Sequence, residues 1–121
     1  MFKNLSNFDF EKPVNRKQIS ILFVKSKVGI GWVHTQVWLY NTLVFDKQNV
    51  NNIVTLNTGG WKTMSTKRVI NRALQLTYGR TAPYISQRKD VWYVNFEDGS
   101  FVEFKDGMVL GGGSGIAIKV L

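Results

Sequence analysis

Midway along the chain the hydrophobic pattern changes period, and it does so at two adjacent glycines. Before Gly59-Gly60 every apolar run is short and rich in β-branched or aromatic residues, which suits pleated strands. These runs are Ile19 to Val24, Trp32 to Phe45 with an interruption at Asn41-Thr42, and Ile53 to Leu56. After the glycines, between Thr66 and Tyr78, the apolar positions are Val69, Ile70, Ala73, Leu74 and Tyr78. They fall at i, i+1, i+4, i+5 and i+9, one face of a helix. Thr63 or Ser65 can cap its start and Gly79 can end it. The opposite face carries Lys67, Arg68, Asn71, Arg72 and Gln75. The spacing predicts one main helix, about 64–78.

Three further strands follow Pro83 in meander order: Tyr84 to Arg88, Val91 to Phe96 and Phe101 to Phe104. Lys89-Asp90 and Glu97-Asp98-Gly99-Ser100 connect them, the second a strong hairpin signal. Asp106-Gly107 turns the chain into Met108-Val109-Leu110. The reading is α+β, an antiparallel β-sheet of meander-type hairpins with one helix packed on it. At 121 residues the chain fits a single domain. Its expected divisions are an N-terminal arm over residues 1–18, a domain over 19–110 and a tail over 111–121. The tail joins a Gly-rich run, flexible by composition, to an apolar strand from Ile116. The strand at Ile19 to Val24 is expected to be buried on both faces, and Trp38 and Trp92 to be core residues.

Cysteine is absent, which excludes disulfides, zinc fingers and thiol chemistry. One histidine, His34, leaves no imidazole-built metal centre. Neither a membrane-length apolar run nor the apolar centre of a signal peptide is present in the sequence. The expectation is a soluble, basic, intracellular domain without cofactor. Sixteen Lys and Arg against eight Asp and Glu give +8, and the excess is localised. From Lys47 to Lys89 there is no acid, while Lys47, Lys62, Lys67, Arg68, Arg72, Arg80, Arg88 and Lys89 all fall there. Such a block sets up a positive field that attracts phosphates; a solvated helix face gives the same pattern.

The sharpest local feature lies inside that window. A strand ending at Leu56 runs through Asn57-Thr58 into Gly59-Gly60-Trp61-Lys62-Thr63, then into a helix start bearing Ser65, Thr66, Lys67 and Arg68. Glycine pairs can aim N–H groups at one point, and a helix start adds unpaired N–H groups and a positive dipole end. The candidate ligand-binding set is therefore Gly59, Gly60, Trp61, Lys62, Thr63, Ser65, Thr66, Lys67, Arg68 and Arg72. A tight turn followed by a hydroxyl N-cap explains the same residues without a ligand. The Walker A spacing is missing. Trp61, directly after two glycines, either stacks on a ligand base or covers the core edge.

Catalysis finds little footing. His34 has no carboxylate near it in sequence and reads as a surface or strand-end residue. Gly111 to Gly115 does not match a nucleophile elbow, since Ile116 stands where the last glycine is needed. Gly29 and Gly31 begin no dinucleotide fingerprint. Glu97, Asp98, Glu103 and Asp106 offer oxygens for a divalent cation, but turn positions favour acidic residues for conformational reasons alone. The expectation is a protein that is not an enzyme.

From about Val37 to Met108 the chain resembles a family of small, mostly uncharacterised tailed-bacteriophage proteins. The resemblance is carried by Asn41-Thr42-Leu43-Val44, by Leu56-Asn57-Thr58-Gly59-Gly60-Trp61-Lys62-Thr63, and by Ser65-Thr66-Lys67-Arg68 with Asn71 and Ala73-Leu74. Tyr84 to Gln87, Val91-Trp92-Tyr93-Val94 and Phe104-Lys105-Asp106-Gly107-Met108 extend it. It implies phage origin and action in the host cytoplasm, and brings no catalytic residue or cofactor. Together these readings give an accessory protein that binds a nucleotide or nucleic acid. A counter-defence role would have it sequester a nucleotide signal or block a host nuclease, with a host defence protein as partner. The alternative is an interaction module whose basic face docks an acidic protein. The oligomeric state is left open.

Overall fold

Alternating burial builds most of the strands. The computed structural model describes residues 19–25, 32–113 and 116–121; the expected arm over 1–18 and the end of the Gly-rich run at 114–115 lie outside the described residues. β1 (Ile19–Lys25), β2 (Trp32–Leu39), β3 (Thr42–Gln48) and β4 (Ile53–Leu56) form an antiparallel meander. In β4 only Val54 and Leu56 face inward, the period of two that a half-buried strand imposes. β3 departs from it: Val44 and Phe45 are both buried. The register against β2 slips between them, with Val37 opposite Phe45 and Trp38 opposite Leu43. This one-residue bulge turns two consecutive side chains to the core. Trp38 is only half-buried, against the expectation of a core residue, while Trp92 is buried as expected. The burial expected on both faces of β1 rests on side chains outside those described.

The helix, α1 (Met64–Tyr78), comes next. Its Val69, Ile70, Ala73 and Leu74 are buried at the spacing the sequence set out. They pack on β2 and β3 and lie along β5. A 3-10 turn at Gly79–Thr81 leads into β5 (Tyr84–Arg88), β6 (Val91–Asn95) and β7 (Phe101–Glu103). The chain then returns as β8 (Val109–Gly113) beside β4, and β9 (Ile116–Val120) adds the outer strand.

The protein is thus α+β, with one α-helix and nine strands among the described residues. The strands divide into two antiparallel sheets rather than one: β1-β2-β3-β4-β8-β9 and β5-β6-β7. The reason is the helix. It interrupts the meander and offers β5 an edge to pack along, and Ile85, Trp92 and Val94 of the smaller sheet join the same core as Val37, Leu56 and Ile70. Trp92 and Phe104 meet edge to face at 5.6 Å. Asn71, expected on the solvent face, instead clamps β5: its Nδ2 donates to the Ile85 carbonyl at 3.0 Å, and its Oδ1 accepts from the Ile85 N–H at 2.6 Å.

The Gly-rich run also departs from expectation. Gly111 to Gly113 continue β8 and pair with β9. A Cβ on Gly112 (φ +127°) would strike the Ala117 carbonyl, and one on Gly111 would lie 2.6 Å from Leu121 Cδ1. Here glycine permits close backbone approach.

Candidate functional site

The segment between β4 and α1 is folded by its own side chains. Asp106, in the turn before β8, accepts from the Thr58 N–H at 2.7 Å and from the Thr58 hydroxyl at 2.8 Å. Thr58 is fully buried by this clamp. From there the chain makes a β-turn closed by the Trp61 N–H donating to the Thr58 carbonyl at 3.0 Å. Its two central residues, Gly59 and Gly60, have φ of 63° and 90°, so both positions call for glycine. A Cβ on Gly59 would also fall 2.8 Å from Thr42 Cγ2.

This geometry corrects one expectation. The Gly59 N–H donates to Asn57 Oδ1 at 3.0 Å and the Gly60 N–H to Thr58 Oγ1 at 3.1 Å. Both are spent inside the loop, so the glycines do not cradle a phosphate. Thr63 is likewise engaged: its Oγ1 accepts from the Thr66 N–H at 3.2 Å and lies 3.0 Å from the Thr66 hydroxyl. Ser65 is not. Its hydroxyl makes no hydrogen bond to a described residue, and the Met64 and Ser65 N–H groups stand in the first turn, where a helix leaves its donors unpaired.

The turn holds Trp61 against the rim of a pocket of about 580 Å³. Leu39 and Val44 supply its apolar floor, and Thr42, Thr58, Thr63, Ser65 and Thr66 its hydroxyl-bearing wall. Tyr40 and Asn41, the two-residue turn between β2 and β3, form the facing rim. Trp61 is 67% exposed and Tyr40 64%. Tyr40 also sits at φ 55°, a region that bulky residues seldom adopt. Two exposed aromatic side chains, one of them strained, thus border the same pocket.

The cations of the candidate set do not line this pocket. Lys62 and Arg68 are exposed and Lys67 half-buried, and none forms an ion pair with a described carboxylate. The first turn of α1 contains no acid and the last turn no base. Lys67, in that first turn, stands against the helix dipole by about 0.3–1 kcal/mol, with no acid there to offset it. Arg68 Nη2 reaches only Met64 Sδ, at 3.6 Å, and Arg72 Nη1 bonds Gln75 Oε1 at 3.1 Å. Lys62 and Arg80 flank opposite ends of a helix about 22 Å long, and Arg88 lies on β5, the strand packed along it.

Of the ten residues expected to bind ligand, Trp61, Thr63, Ser65 and Thr66 therefore line the pocket. Gly59, Gly60, Lys62, Lys67, Arg68 and Arg72 do not. Sequence reasoning missed Tyr40, Asn41 and Thr42, although Asn41-Thr42 had signalled a break in the strand. It also missed the partner of His34, whose Nδ1 lies 3.0 Å from Asp46 Oδ1. The two are twelve residues apart but share a face of the β2–β3 ladder. Among the described residues no group of three His, Asp or Glu is arranged to hold a metal ion, and no helix is long and apolar enough to cross a membrane. The chain matches no family model, no curated protein and no solved structure.

Proposed function

We propose that this protein is a non-enzymatic nucleotide-binding protein, taking a base between Trp61 and Tyr40 and a phosphate at the start of α1. The observation that carries the reading is the pairing of an exposed aromatic pocket with a helix start whose charges oppose its own stability. Lys62, Lys67 and Arg68 raise the positive potential where the helix dipole is already positive. That arrangement is unfavourable for the empty helix and favourable for one holding an anion. The free Ser65 hydroxyl and first-turn N–H groups suit phosphate oxygens, and the neutral, hydroxyl-rich pocket suits a nucleoside. Base stacking on an aromatic side chain contributes about 1–3 kcal/mol.

With the resemblance to small tailed-phage proteins, the role that follows is sequestration of a nucleotide in the host cytoplasm, as a counter-defence factor. Titration of intrinsic tryptophan fluorescence with a panel of mono-, di- and cyclic nucleotides tests it. Wild-type protein should be quenched saturably by at least one of them. Trp61→Ala should abolish the response while the melting temperature stays nearly unchanged. A panel without effect would contradict the reading.

The second reading is a protein-docking surface. Met64, 59% exposed, touches Arg68 and adds to the exposed aromatics Tyr40 and Trp61 the composition of an interface hot spot. An acidic partner captured by wild-type protein and lost on Trp61→Ala, with no nucleotide response, would favour it.

A further inference from the structure

The smaller sheet has two unlike faces. Ile85, Trp92 and Val94 point inward and are buried against the core. By strand alternation, Tyr84, Ser86 and Arg88 of β5, Tyr93 of β6 and Phe101 of β7 share the outward face. Tyr84 is 55% exposed and Phe101 51%. Tyr93 and Phe101 meet edge to face at 5.5 Å with their planes at 86°. Arg88 reaches over both, its Cζ 5.9 Å from the Tyr93 centroid and 5.5 Å from that of Phe101.

We propose that this outward face is a stacking platform for single-stranded nucleic acid. Cross-strand aromatic pairs stabilise a sheet, which accounts for Tyr93 and Phe101 meeting. It does not account for the exposure of Tyr84, which has no aromatic partner among the described residues and gains nothing by burial. The exposed Tyr84 and Phe101 rings, beside the half-buried Tyr93 and a planar guanidinium on one sheet face, offer the stacking chemistry by which bases are held without sequence preference. The charge is complementary on one side. Arg88 and Lys89 close the β5–β6 hairpin at the end of the acid-free window, on a chain of net charge +8. The acids nearby are Glu103, opposite Tyr93 on the same face, Asp90 in the β5–β6 turn, and Glu97 and Asp98 in the β6–β7 turn before Phe101. The phosphates accordingly track the Arg88 side while bases lie on the rings. This site is separate from the Trp61 pocket, and either can stand without the other.

The test is fluorescence anisotropy with end-labelled twelve-nucleotide oligo(dT) and oligo(U), and with a duplex of the same length. The wild type should bind the single strands in a salt-dependent manner and the duplex more weakly. Tyr84→Ser with Phe101→Ser, both at exposed positions, should reduce single-strand affinity by about tenfold or more. Glu103→Gln should increase it. Circular dichroism melts on the same samples show whether the double variant is folded; if it is not, Arg88→Ala and Glu103→Gln decide, with loss and gain expected. Equal affinity in the double variant, no single-strand binding at all, or a self-association that the double variant abolishes would each overturn the proposal. Mononucleotide quenching lost in Trp61→Ala, with oligonucleotide binding absent throughout, would remove the platform and leave the pocket.

Discussion

Two tryptophans that look alike in sequence do unlike work. Trp92 alternates with β-branched neighbours on a central strand and is buried against Phe104; replacing it by alanine should lower stability by about 3–5 kcal/mol. Trp61 follows two glycines in a turn and stays open to solvent, so its replacement should stay within about 0.5 kcal/mol of wild type. Urea denaturation of both variants checks the contrast. Thr58 is a second residue whose role sequence did not disclose. Its hydroxyl donates to Asp106 and accepts from the Gly60 N–H. Thr58→Val keeps the shape and removes both bonds, so the midpoint should fall by about 1–3 kcal/mol equivalent. Asp106 lies 48 residues away along the chain, and nothing local distinguishes it from an ordinary turn aspartate.

The elements whose signal is local were legible. The apolar spacing from Val69 to Leu74 drew α1 correctly, and the Glu97-Asp98-Gly99-Ser100 hairpin set β6 against β7. Asp98 accepts from the Ser100 N–H and hydroxyl, which holds its carboxyl below the usual range. Features that depend on what the fold brings near were not legible. The Gly-rich run reads as flexible by composition, yet Gly112 is required by the backbone of β9. Gly112→Ala should therefore loosen the β8–β9 pair, costing about 1–3 kcal/mol. Hydrogen exchange should show lost protection over Ile116–Val120 while α1 is unaffected. Spacing alone puts Asn71 on the polar face of α1; the neighbouring edge of β5 makes it a clamp.

At the scale of the molecule, one core joins the helix to both sheets, and its titration carries a signature. Burial raises the Tyr78 hydroxyl to about 12, and that hydroxyl donates to the Asn52 carbonyl at 2.5 Å. The folded state holds this proton above the unfolded value of about 10. Its contribution is full below about pH 10 and is lost as pH rises through about 12. Lys47 acts in the opposite sense: burial lowers its pKa, so stability recovers as pH rises toward its ordinary 10.5. Urea midpoints from pH 9 to pH 12 should fall less steeply for Tyr78→Phe than for wild type, from a lower starting value. Nucleotide binding at the Trp61 pocket has a direct spectroscopic test. Amide and indole NMR shifts, followed as the quenching nucleotide is added, address it most directly. Saturable shifts are expected at the Trp61 indole, at Tyr40 and Asn41, and at the Met64 and Ser65 amides, with β8 and β9 unmoved. Shifts absent from those residues, or confined to the β5–β7 sheet, would contradict it.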